Sequence, residues 1–419
     1  MILMNNISLN HSIKHGLKYL NSKGNFEKGM IFFWFLGPII FLIERSPADI
    51  WLTLISIIFL FKSFVSSDWS WVKIKWFKFA FIFWVCSLIS ALFGPMPIFT
   101  FGEGFSWIRF PLYAVAIQHW IGRNRNIRVI MLFILITCMM IMSIILFSEV
   151  IIEPKTNLTW PYGDLIPGSY LAKFCLPAHC VLVSIAVIKL SKKSIFGGMY
   201  LIVTLIASFL TGERNNFLLR LCSAFLAIFS FKFNIKMIIT WFLVLLSIIY
   251  VAYNFNSESH HLFTNISQKF VNSIPIINFD NTYWGTWRSG IQQWFETPVL
   301  GVGPSGTRHT CGYLTTVSWL PGENYCGNHP HNTYIQILSE TGILGAIFFL
   351  LMLYYIFQTC FKARKLNKNC IMSCTAFIIP LSFFFPLQHA GSFFGQWNNL
   401  FMWFAIGFAI SQINSKEKN

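Results

Sequence analysis

Apolar residues run through this chain in long blocks separated by short polar breaks, with no sustained alternation of the kind a half-buried strand shows. One bilayer crossing takes about 17 to 25 apolar residues. On that measure the pattern predicts helices near 29–45, 48–66, 75–94, 106–122, 127–150, 168–190, 195–212, 215–231, 235–254, 333–359, 369–387 and 392–412. The fold class is therefore all-α, a polytopic membrane protein of about twelve transmembrane helices. One polar stretch is far longer than the rest, so the chain divides into 1–254 (helices one to nine), a loop at 255–332, and 333–419 (the last three helices).

Composition agrees with lipid as the solvent. The chain has 419 residues, is 55% hydrophobic and 18% aromatic, holds 11% charged residues and has a mean hydropathy of +0.60. A soluble protein with a net charge of +16 would suggest a nucleic-acid partner, but here topology accounts for the excess, because Lys and Arg collect on cytoplasmic loops. Alternate loops and adjacent span ends carry Lys62, Lys73, Lys75 and Lys78, then Arg123, Arg125 and Arg128, then Lys189, Lys192 and Lys193, then Lys232 and Lys236, then Lys362, Arg364, Lys365 and Lys368, and finally Lys416 and Lys418. The polar start holds Lys14, Lys18, Lys23 and Lys28 and leads straight into full spans, with no small-residue cleavage site of a signal peptide. Both termini are expected in the cytoplasm and the 255–332 loop outside.

Subtracting these topological charges leaves Arg45, Arg109, Lys155, Lys173, Arg214, Lys269, Arg288 and Arg308 on or near the outer face. An ionisable group near the bilayer faces a partner or a wet cavity, or snorkels. Arg45 and Lys155, in open loops, read as snorkelling. Arg214, inside LIASFLTGERNNFLLRL, reads as functional.

Cys86, Cys138, Cys175, Cys180, Cys222, Cys360, Cys370 and Cys374 fall in spans or at cytoplasmic edges and read as small apolar residues. Cys311 and Cys326 are the two in the outer loop. In an oxidising compartment a bridge between them would contribute ~3 kcal/mol on the chain-entropy argument and pin the segment before His329.

Within that loop, Thr282 to Gly306 reads as a short amphipathic helix from Tyr283 to Phe295. Trp284, Trp287, Ile291 and Trp294 stand near helical spacing with Arg288 among them, and Pro298 and the following glycines end it. Such a helix would lie in the membrane interface, with Arg288 either close to lipid phosphates or solvated. The loop closes on NHPHNTYIQILSETGILG, Asn328 to Gly345, which sets His329, His331 and Asn332 at the mouth of the next helix. The histidine pair admits three readings: packing residues; two ligands of a zinc ion, with Glu323 or Cys326 as a third; or a general base at His331, kept neutral by the positive end of the helix that Asn332 caps. The chain has no GxxxxGK[ST] phosphate loop, HExxH zinc helix or GxSxG nucleophile elbow. Their absence argues against an ATP-driven transporter, a metalloprotease of that type and an α/β hydrolase. A neutral base with outward arginines fits transfer of a group whose leaving part is a phosphate or diphosphate.

LTGERNN around Arg214, WRSGIQQWFETPVLGVGP around Arg288 and HPHNTYIQILSETGILG around His331, in this order, resemble the O-antigen ligase and polymerase superfamily of bacterial envelope enzymes. The resemblance is detailed over about 206–350. It implies a glycosyltransferase of the inner membrane whose donor is a glycan on undecaprenyl diphosphate at the periplasmic face, with no cofactor and no metal. It further implies that Arg214 and Arg288 bind the diphosphate and that His331, oriented by His329, activates an acceptor hydroxyl. The segment from Cys311 to Cys326 has no assigned counterpart in the family. The acceptor is expected to be the lipid A core, as in a ligase, because there is one long outer loop late in the chain, whereas polymerases often carry a second, arginine-bearing one; the 94–106 loop with Arg109 is the candidate for that. Repeat-unit polymerase and protein O-oligosaccharyltransferase are the alternatives within the superfamily, and a lipid-linked glycan transporter is the alternative outside catalysis.

Overall fold

A computed structural model describes residues 9–152, 166–188, 190–211, 213–231, 233–255, 264, 268, 282–311, 325–388 and 390–414. Among them there are helices and no strands. Arg214 is described in its backbone alone, and Lys155, Lys269 and Glu323 lie outside the described residues.

The helices run in order α1 (Leu9–Asn21), α2 (Asn25–Phe35), α3 (Gly37–Ile43), α4 (Arg45–Ser66), α5 (Lys75–Phe93), α6 (Pro97–Trp107), α7 (Arg109–Ala116), α8 (Arg125–Ile152), α9 (Ile166–Ser169), α10 (Leu176–Ile188), α11 (Lys192–Leu210), α12 (Arg214–Ser230) and α13 (Ile235–Phe255). They continue as α14 (Thr282–Glu296), α15 (Thr307–Thr310), α16 (Thr333–Leu366), α17 (Ile371–Thr375), α18 (Ile378–Phe383) and α19 (Gln396–Ser411). Among the described residues six helical stretches are long and apolar enough to cross a membrane: 25–43, 45–66, 75–93, 125–149, 192–210 and 333–366. Four shorter apolar ones lie at 176–188, 215–230, 235–250 and 371–383.

The difference from twelve uniform spans has local causes. The block at 106–122 is helical only as α7 followed by a π-helical turn at Ile117–Ile121, and the block at 168–190 is split into α9, a π-helical turn at Tyr170–Phe174 and α10. Proline contributes to the breaks: Pro38 stands in the first turn of α3 and Pro177 near the start of α10, where a missing N–H costs least. Irregular backbone at this depth persists because it is buried in protein. The last apolar block, 392–412, is α19, buried continuously from Asn399 to Ser411. A helix apolar on every face is a core helix, and α19 packs on α4, α7, both π-helical turns, α10 and α16.

The core is strongly aromatic, and its polar tips are matched. Trp107 and Trp403 both donate to the side-chain oxygen of buried Asn399 (3.2 and 3.0 Å), Trp34 donates to the Tyr113 hydroxyl (3.0 Å) and Trp76 to Gln118 (2.8 Å). Each of these rings buries a large apolar area while its N–H keeps a partner. Phe61, Phe64, Phe93, Phe229 and Ile347 are instead exposed, forming the kind of outer apolar surface that suits lipid chains.

Two outer-face cations left over from the topological count have structural partners. Arg109 pairs with Asp49 at 3.0 Å, and the Arg45 guanidinium lies 5.6 Å from the Trp397 ring. The eight cysteines assigned to spans and edges are unbridged and, except for Cys222, buried.

Candidate functional site

The segment from Tyr325 to Asn332 is held from two sides. On one side stands α14: the Tyr325 amide donates to the Gly285 carbonyl (3.3 Å), the Ser289 hydroxyl to the Tyr325 carbonyl (3.2 Å) and the Thr286 hydroxyl to the Pro330 carbonyl (3.3 Å). Gly290 makes the close approach possible, since a Cβ there would sit 2.6 Å from Ile335 Cγ2 and 2.8 Å from Pro330 Cγ. On the other side runs the stretch after α18. The Ala390 amide donates to the His331 carbonyl (2.8 Å), His329 Nε2–H donates to the Ala390 carbonyl (3.2 Å) and Asn332 Nδ2 donates to the Pro386 carbonyl (2.7 Å).

The two histidines meet. Their ring centroids are 4.0 Å apart, and the Tyr283 ring stands edge-on to His331 at 5.6 Å. The backbone between them is not extended, as alternate spacing alone would have it: His331 has φ of 56°. A non-glycine residue there stores strain that its surroundings must over-determine, and the bonds to Ala390 do so. Asn332 caps α16 as expected, its side-chain oxygen accepting from the amides of Tyr334 (3.0 Å) and Ile335 (3.2 Å). That cap is worth ~1 kcal/mol.

Electrostatics keeps both rings neutral. His329 is pushed down to about 3, by burial first and then by the neighbouring His331 ring, against the bond to Ala390, with Arg308 and Lys173 adding in the same downward direction. His331 is lowered as well, and the cause is burial, opposed by the backbone of Ala390. Burial thus acts in the same downward direction as the helix end was expected to.

The Cys311–Cys326 disulfide is formed and ties the end of α15 to the segment before His329. With Cys326 in the bridge and Glu323 outside the described residues, the zinc reading loses one of its candidate third ligands. Among the described residues no three His, Cys, Asp or Glu side chains are grouped to hold a metal ion.

Arg288 is 5% exposed and Trp287 7% exposed. Arg288 is therefore not solvated, as one of the two expectations for this helix had it, and α14 packs against α16. The Arg214 side chain lies outside the described residues. Its backbone starts α12, and the neighbouring Glu213 carboxyl is bonded by Asn216, which also donates to Ser169 at 3.1 Å. Burial raises Glu213 to about 7, against the opposing effects of Lys173 and Asn216.

Sequence reasoning missed a polar network under the histidines. Glu340 is fully buried; its carboxylate accepts from the Ser305 amide (2.9 Å) and from Gln336 (3.1 Å), while Gln336 also donates to the Ser392 hydroxyl (3.1 Å) and accepts from the Phe393 amide (2.8 Å). Two residues on, Gly342 (φ 62°, ψ −170°) breaks α16, and the broken turn is closed by the Ile343 amide donating to the Pro298 carbonyl (2.8 Å). A Glu two turns inside an apolar helix, with Gly two residues later, was the available signal.

Beside the site, α12 and the segment 381–388 enclose an apolar groove of about 700 Å³. Its walls include Leu218, Cys222, Phe225, Leu381 and Phe385, and its polar lining comes from Asn215, Ser382 and Gln388.

No curated protein matches the chain. A family model described as O-antigen ligase matches residues 199–350, from α11 through α14 and the histidine pair into α16, so over this stretch the chain is similar to the O-antigen ligase-like superfamily.

Proposed function

We propose that the protein is an O-antigen ligase, a metal-independent glycosyltransferase of the bacterial inner membrane. It moves a glycan from undecaprenyl diphosphate to a hydroxyl of the lipid A core oligosaccharide at the periplasmic face. The observation that carries this reading is a neutral, half-buried His331 held against His329 at the mouth of α16, inside the stretch matched by the family.

In the reaction the acceptor oxygen bonds to the anomeric carbon as the bond from that carbon to the diphosphate oxygen breaks. The hydroxyl proton passes to an unprotonated nitrogen of His331. Negative charge develops on the departing diphosphate, where Arg214 and Arg288 stabilise it through forked, charge-assisted hydrogen bonds. His329, tethered by Ala390, orients the His331 ring. Two further observations support the reading. The apolar groove lies along the helix that begins at Arg214 and ends in polar residues, as a polyprenyl diphosphate would require. Arg109, the candidate for a second arginine-bearing outer loop, is occupied by Asp49, which favours ligase over repeat-unit polymerase.

The test separates donor binding from chemistry. Transfer of a labelled undecaprenyl-diphosphate glycan is measured in reconstituted membranes. Donor binding is read as protection from a lipophilic maleimide of Cys222, an exposed free cysteine in the groove. His331→Ala is expected to keep protection while transfer slows by roughly 100- to 10,000-fold, as for a lost general base. Arg288→Ala is expected to lose both, with Arg288→Lys restoring only part, because a point charge does not reproduce the guanidinium fork. A chelator is expected to change nothing. Full transfer by His331→Ala, or its abolition by chelator, would overturn the mechanism.

A further inference from the structure

At the end of the bundle that carries the basic loops, the turn after α1, the end of α4 and the π-helical turn 117–121 enclose a polar pocket of about 120 Å³, away from the histidine pair. Its charges do not cancel locally. Lys23 pairs with Glu27 at 3.4 Å, and the Asp68 carboxylate accepts from the Ser70 hydroxyl (2.6 Å) and bonds the His119 ring (3.0 Å). Lys62 and Arg123 also line the pocket, and among the described residues neither has a carboxylate within ion-pair distance. Three cations, Lys23, Lys62 and Arg123, thus face two carboxylates, Glu27 and Asp68, leaving a net positive charge beside a cavity large enough for a phosphate group.

The surroundings say what such an anion would be attached to. The Lys62 ammonium lies 5.3 Å from the Trp120 ring, and Phe26 stacks on Trp120 at 5.8 Å. Phe61, Phe64 and Val65, flanking Lys62 on α4, are 65%, 73% and 68% exposed, so acyl chains have an apolar surface directly beside the cations. On α1, exposed Ile13 and Leu17 alternate with exposed Lys14 and Lys18, which suits a helix lying in a charged membrane surface. The π-helical turn contributes His119 and Trp120 to one pocket, a use of such turns that recurs at binding sites.

We propose that this pocket binds the headgroup phosphate of an anionic phospholipid, held by Lys62 and Arg123 with its chains along α4. A soluble phosphate would leave the apolar flank unused. A zwitterionic lipid would bring its own ammonium toward a pocket already in positive surplus.

The test uses the full-length protein in nanodiscs of equimolar phosphatidylglycerol and phosphatidylcholine, with co-isolated lipid counted by native mass spectrometry. The wild type is expected to retain phosphatidylglycerol in preference. The Lys62→Gln, Arg123→Gln double variant is expected to lose that preference by at least tenfold while keeping its thermal unfolding midpoint. Equal retention of the two lipids by the wild type, or an unchanged preference in the double variant, would overturn the proposal. Displacement of the bound lipid by millimolar inorganic phosphate would assign the site to a soluble anion and overturn it equally. Transfer activity is not the readout, so this outcome is independent of the proposed function.

Discussion

A general base must be unprotonated at working pH, and for His331 and His329 that condition is met by burial. Protonating either ring would place a cation in a half-dry site, which for His329 also faces Arg308 and Lys173, so both rings bind protons less readily folded than unfolded. The sign follows from linkage: a depressed folded pKa contributes stability that is present above the unfolded value of about 6.5 and is lost as pH falls. For His329 the loss runs down toward about 3. Two outcomes are expected. Thermal unfolding of the purified protein should shift to lower temperature between pH 6.5 and 4, and His329→Gln should flatten that shift. The acid limb of kcat/KM, which reports the free enzyme, should lie below pH 6.5. A limb at or above 6.5 would mean an ordinary, solvated imidazole.

The elements around the site are joined by backbone contacts that composition does not advertise. The α16 break illustrates this. Apolar periodicity correctly gave a span beginning at 333, and the asparagine before it was legible as a cap because its geometry is local. What was not legible is that Gly342 interrupts the helix and receives the 298–303 loop, with a hypothetical Cβ only 2.2 Å from the Val299 carbonyl oxygen. That contact links residues about forty positions apart, and no spacing rule encodes it. Glu340 was likewise invisible as a buried group, because Ser305, which donates to it, and Ser392, which is bonded to its partner Gln336, come from two other segments. Gly342→Ala would force an L-residue into a region nearly closed to it and push the loop off α16. The backbone strain alone is about 1–3 kcal/mol, so a lowered unfolding midpoint and loss of transfer are expected together. Gly290→Ala disturbs only the α14 packing on Pro330 and Ile335. It should weaken transfer with a smaller change in stability. Equal thermal stability of Gly342→Ala and wild type would show that the break is not required.

At the scale of the whole molecule, hydropathy pointed to the membrane class, and the ordered motifs pointed to the family whose model matches 199–350, because both signals are linear in sequence. The number of crossings is not linear in the same way. Blocks such as 106–122 and 392–412 are apolar because they are buried in protein, on α4, α16 and each other, as the full burial of Tyr113 and Trp403 shows. A buried core helix and a lipid-facing span read alike in composition. The alternation of Lys and Arg is the independent constraint, since it depends on which side each loop faces rather than on how a helix is packed. It requires loops at 189–193 and 362–368 to share one side and the 255–332 loop to take the other. Reporter fusions at Ser194 and Asn367 should therefore report cytoplasm, and one at Asn278 should report periplasm. A cytoplasmic signal at Asn278 would place His329, His331 and Arg288 on the face where a lipid A core acceptor is not presented. The ligase reading would then fail as a whole, whatever the local geometry of the histidine pair.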